Sequence, residues 1–216
     1  MKQALPLALG LGLLAASPAL AHPHIFVDAG IEVIFNAAGQ AEAVRLTWTY
    51  DDLISMTLVS ERGMDSDFDG ALTAEETAAL NGFDMNWQPG FQGDSYALLS
   101  DTPLTLSGPS DWTVGYAGGK LTSTHLRRFE TPVDLAGQAL VIQSYDPGYY
   151  TAYAVAAAKV TGREGCTAEI FEPDREAADQ ILQDALAEYS GTDGAEADFP
   201  AVGSAYAEEA RIVCEG

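Results

Sequence analysis

Basic residues are scarce in this chain: ten lysines and arginines stand against 32 aspartates and glutamates, a formal net charge of −22. Such a chain repels phosphate backbones and anionic membrane surfaces, which argues against nucleic-acid and lipid-headgroup partners. It suits a protein that handles cations, although plain solubility accounts for the charge equally well. Cysteine is limited to Cys166 and Cys214, and no CxxC pair exists to build a thiolate metal site. No GxSxG, HExxH, phosphate loop or dinucleotide fingerprint occurs, and a serine or cysteine nucleophile would find only His125 as a base. Beyond the N-terminus there is no second long apolar run, and there is no internal repeat.

The N-terminus carries an address. Lys2, the apolar stretch "ALPLALGLGLLAA" and the small-x-small triplet "ALA" at 19–21 read as a secretory signal. The rival reading is a retained anchor, which the shortness of the apolar stretch opposes. Cleavage after Ala21 removes 21 of 216 residues and leaves 195, with His22 first; losing Lys2 takes the charge from −22 to −23. Residues 22–216 suit one domain. In an oxidising compartment Cys166 and Cys214 read as a disulfide worth roughly 4 kcal/mol in the chain-entropy model. Free thiols acting as metal ligands are the alternative.

Period-two alternation marks strands at "IEVIF" (31–35) and "AVRLTWTY" (43–50), joined by a hairpin loop at 36–40. Val44, Leu46, Trp48 and Tyr50 share a face. Residues 51–64 shift to helical spacing, with Leu53, Met56, Thr57 and Ser60 along one side, and Thr73 followed by Glu76 is a capping-box pattern. From 94 to 172 short strands alternate with Gly, Pro and Asp breaks; 174–189 is an amphipathic helix, 191–198 an acidic link and "ARIVCE" a last strand. The expected fold is α+β: an antiparallel β-sandwich-like core with an EF-hand-like helical insert near 51–83 and a C-terminal helix.

"DSDFDGALTAEE" fits the calcium-loop pattern D-x-[DN]-x-[DN]-G-x5-E without a gap. Asp65, Asp67 and Asp69 take its first, third and fifth positions, and Gly70 takes the sharp turn. Ala71 would offer a carbonyl, Thr73 a ligand directly or through water, and Glu76 a bidentate carboxylate. Four carboxylates this close repel one another without a cation, so Ca²⁺ is the expected ligand. A polar turn without an ion is the alternative.

Two of the three histidines flank one proline, in "HPH" at 22–24. In an extended segment His22 and His24 face the same side. After cleavage His22 would also carry a free amine. Pro23 has no N–H to lose, which excludes the amino-terminal copper chelate that needs a deprotonated amide there. Chelation by the imidazoles remains, with or without the amine, as in a histidine brace. With His125 they would make a three-nitrogen site acceptable to Zn²⁺, Ni²⁺, Co²⁺ or Cu²⁺. The bland reading is a polar terminus and an unrelated third histidine. Asp146, in "YDPGYYTAY" (145–153), is an outer partner for a ligating histidine or simply a turn residue, and "NWQPGF" (86–91) is a loop anchored by Trp87.

These features together resemble a bacterial periplasmic family of unknown function whose mature chains begin His-Pro-His. The segments that carry the likeness are "HPH", "WTYD" (48–51), the aspartate loop, "DPGYY" (146–150) and the two late cysteines. The resemblance implies a periplasmic component of an uncharacterised transport system, encoded beside nickel/cobalt-type permeases and in some cases linked with zinc. The chain lacks the His-rich tracts of metal scavengers. The expected function is therefore a non-enzymatic accessory that delivers zinc, or nickel/cobalt, to a membrane permease, with a separate structural calcium loop. The alternatives are a copper histidine-brace enzyme and an interaction module whose only ion is calcium.

Overall fold

The alternation that begins at Ile31 reaches further back, to the residue after the histidines. In the computed structural model, which describes residues 22–67, 69–188 and 199–215, strand β1 runs Ile25–Phe35 and turns through 36–40 into β2, Ala41–Tyr50. The expected leader (1–21) and acidic link (191–198) lie outside the described residues. β1 is long because it has two partners: β2 antiparallel on one side, and β8 (Thr151–Thr161) parallel on the other. β5 (Ser110–Ala117) and β6 (Lys120–Val133) complete a five-stranded sheet in the order β5-β6-β2-β1-β8.

The second sheet is fully antiparallel. It contains β3 (Ser95–Leu99), β4 (Thr102–Leu104), β7 (Leu140–Ser144), β9 (Cys166–Phe171) and β10 (Glu208–Cys214), in the order β4-β3-β7-β10-β9. The main core lies between the sheets. Ile31, Val33, Val44 and Leu46 of the first pack with Ala97, Leu140, Ile142 and Ile212 of the second. Cys166 and Cys214 face each other across β9 and β10 and are bonded, with Cα atoms 4.0 Å apart.

The expected fold class is corrected. The chain is mostly β, and its first sheet is mixed rather than antiparallel, because β8 returns parallel to β1. Nor is there an EF-hand-like insert. Helix α1 spans Asp52–Glu61, but α2 covers only Ala74–Ala79, and the two lie on different strands, α1 on β6 and α2 on β5. Asp51 caps α1, accepting from the Ile54 N–H, and the capping box of Thr73 and Glu76 was legible. The buried face of α1 was not. Ser55 and Val59 face inward, while Leu53 and Met56 are 62% and 60% exposed. The Ser55 hydroxyl donates to the Tyr50 carbonyl and accepts the Leu121 N–H at the start of β6, so a polar residue occupies the inner face. The third helix, α3 (Arg175–Glu188), is where the amphipathic pattern puts it, with Ala178 and Leu182 buried. No helix among the described residues is long and apolar enough to cross a membrane.

Candidate metal centre

His22 and His24 come together at the head of β1. Their ring centroids are 5.0 Å apart at a steep angle. The "DPGYY" turn seats them. The Asp146 carboxylate accepts the N–H groups of Gly148, Tyr150 and Thr151, and this fixes the Tyr150 carbonyl, which accepts the N–H groups of His24 and Ile25. Asp146 thus builds the turn. The Tyr150 ring lies 4.7 Å from that of His24, and Phe199 stacks on His22 at 4.0 Å. Gly203 holds the Phe199 segment against this turn: its N–H donates to the Pro147 carbonyl, and a Cβ there would meet the Asp146 carbonyl oxygen at 1.8 Å.

His125 belongs elsewhere. Leu46 is in register with both His125 and Ile31, and His24 lies seven residues before Ile31. At about 3.3 Å per residue that is roughly 23 Å, so the three histidines do not meet. His125 is fully buried between the rings of Trp48 and Trp87, at 4.7 and 5.4 Å. Neither ring nitrogen has a hydrogen-bond partner among the described residues. Burial, reinforced by the charge of Arg127, pushes its pKa down to about 3, so the imidazole is neutral.

Around it lies a polar interior that pattern reading missed. Asp84 accepts from the hydroxyls of Tyr50 and Ser123, and burial pushes its carboxyl up. Asp94 accepts from the Tyr153 hydroxyl, and burial pushes it up to about 7. Arg127 donates to the carbonyls of Ser107, Gln92 and Ser95, pinning the covering segment onto β6. The available signal was Ser123, His125 and Arg127 at alternate positions, three polar residues on one inward face. Trp87 anchors its loop as expected, its indole N–H donating to the Asp84 carbonyl.

The aspartate loop brings three of its expected ligands together. One oxygen from each of Asp65, Asp67 and Asp69 lies within 4.8 Å of the others, and Gly70 adopts φ +77°. Asp65 accepts the N–H groups of Asp69 and Gly70. Glu76 spans the loop: one oxygen accepts the Asp65 N–H, and the other accepts the N–H and hydroxyl of Thr73. The bonds from Thr73 hold the Glu76 carboxyl below the usual range. Ala71 donates its N–H to the Asp69 side chain.

A family model described as a protein of unknown function, DUF1007, matches residues 7–214. The chain belongs to that family. No curated protein matches it. The match takes in all three sites of this DUF1007 chain: the histidine pair, the buried His125 cluster and the aspartate loop.

Proposed function

We propose that this chain is a periplasmic metal-binding accessory that delivers a transition metal, zinc or nickel/cobalt, to a membrane permease. The observation that carries the reading is the spacing of His22 and His24. Two imidazoles sharing one tetrahedral ion, with nitrogens about 2.0 Å from the metal, place their ring centres roughly 5 Å apart. Here the centres are 5.0 Å apart. The secretory address, the acidic surface and the likeness to His-Pro-His chains found beside permeases support the same reading. An exposed His24 beside a half-buried His22 at the head of β1 suits an ion that must be handed on, since a closed cage retains its metal.

The test is calorimetry with Zn²⁺, Ni²⁺, Co²⁺ and Cu²⁺ on the protein beginning at His22. His22→Ala combined with His24→Ala is expected to remove the site, a loss of about a hundredfold or more in affinity. Because protons compete for the imidazoles, affinity should fall steeply between about pH 7.5 and 5.5. An extra residue ahead of His22 weakens binding only if the terminal amine is a ligand. Unchanged affinity of the double variant for every metal would overturn the reading.

We propose separately that the aspartate loop holds one Ca²⁺ as a structural ion, the convergence of Asp65, Asp67 and Asp69 being the support. Calcium at about 100 times its Kd is then expected to add roughly 2.7 kcal/mol of stability. Asp65→Asn with Asp69→Asn should abolish the gain. A melting temperature that ignores calcium in the parent chain would refute it.

A further inference from the structure

β4 pairs with β3 only as far as Leu104, which lies opposite Ala97. Beyond Leu104 the chain leaves for β5, and Ser95 and Tyr96 have no strand partner on that side of β3. A cavity of about 320 Å³ opens there. Small-molecule sites run from about 300 to 1,000 Å³, so a compact ligand fits it.

The wall differs from the rest of the chain. Acidic residues outnumber basic ones 32 to ten in the sequence, yet the wall carries Arg127 and no acid. Arg127 is 3% exposed and forms no ion pair among the described residues. Burial lowers its pKa to about 10, which leaves it charged at neutral pH. A buried charge is costly unless another group offsets it.

Most of the guanidinium is spent. Its Nε and Nη1 donate to the carbonyls of Ser107, Gln92 and Ser95, at 2.8, 2.7 and 2.9 Å. These bonds make Arg127 a staple between β6 and the two segments that cross it. They leave Nη2, which has the Leu106 carbonyl at 3.5 Å. That is longer than an ordinary N–H···O bond. Ser95 lines the same cavity, and its hydroxyl, on a residue 2% exposed, has no partner among the described residues. A buried hydroxyl in that condition points to a bound polar group. Apolar and aromatic side chains make up much of the remaining wall. Tyr96 and Tyr145 stack with ring centroids 4.1 Å apart, and Leu98, Pro103 and Leu104 share the wall with them.

We propose that this cavity binds a small organic acid. Its carboxylate lies on Arg127 Nη2 and the Ser95 hydroxyl, and its apolar body lies against the tyrosine pair, Leu98 and Leu104. Neither His22 nor His24 is on the wall, so the inference does not depend on the metal-binding reading.

Calorimetric titration of the metal-free protein beginning at His22 with phenylacetate tests it. One phenylacetate should bind per chain. Phenylacetamide, similar in shape but uncharged, should bind about tenfold or more weakly, the worth of a charge-assisted bond. Arg127→Lys keeps a charge without the planar fork and should also weaken phenylacetate. Leu98→Trp fills the cavity from its half-buried wall position and should abolish binding, with a melting temperature near that of the parent. His22→Ala with His24→Ala should bind phenylacetate as the parent does. A parent chain that binds neither compound holds only water in the cavity and overturns the inference. Equal affinity for acid and amide, a Leu98→Trp chain that binds like the parent, or loss of binding in the double-histidine variant would overturn it as well.

Discussion

Replacing Asp94 by asparagine is expected to give a protein whose stability climbs more steeply with pH between about 4 and 6.5 than that of the parent. Two buried groups oppose each other in that window. Asp94, 7% exposed, is raised from 3.8 to about 7 by burial. A raised pKa contributes stability that is full below the unfolded value and is lost as pH rises to the folded one. His125, with no exposure, is lowered from 6.5 to about 3. Its contribution is full above the unfolded value and is lost as pH falls to the folded one. At 1.36 kcal/mol per pH unit, each slope amounts to about 3 kcal/mol across the window. Asparagine keeps an acceptor for the Tyr153 hydroxyl and leaves the histidine slope alone. His125→Phe leaves the aspartate slope, so that variant should lose about 3 kcal/mol over the same rise in pH. Urea unfolding at both ends of the window measures this, and parallel profiles for the three proteins would sink it.

Removing the disulfide, as Cys166→Ala with Cys214→Ala, should lower stability by about 4 kcal/mol. The bridge spans a sequence separation of 48 and ties β9 to β10 where Cys214 is buried. Its chief effect is on the unfolded chain, which it denies the freedom of a long loop. For a domain of this size the melting temperature should fall by roughly 8–16 °C. A fall of less than about 2 °C would show that the pairing of β9 with β10 suffices without the bond.

What was legible in the sequence is what depends on neighbours along the chain. The β1–β2 hairpin, the helix cap at Thr73, α3 and the positive φ of Gly70 follow from local chemistry, and structure and pattern agree there. Partners distant in sequence were not legible. Nothing in "HIF" tells that Ile25 will pair in parallel with Thr151, so the mixed sheet and the short, separate helices replace the expected fold class. The same blindness grouped His125 with His22 and His24, because composition counts histidines without their register. The polar interior escaped for a related reason. Tyr50 and Tyr153 read as apolar strand residues, and their hydroxyls matter only once Asp84 and Asp94 arrive from the covering segment.

The parallel pairing of β1 with β8 also sets an order of events. β1 and β2 are joined by a short loop and meet early, as hairpins do, within microseconds. The strand that completes β1 lies more than a hundred residues downstream, and closure of so long a loop is slow. In a chain that emerges N-terminus first, the histidines come out at the start. They find the Tyr150 carbonyl, which positions them, only after most of the polypeptide has followed. The seat of the two histidines is thus among the last features to form, and a half-emerged chain presents its imidazoles without the geometry to hold them together.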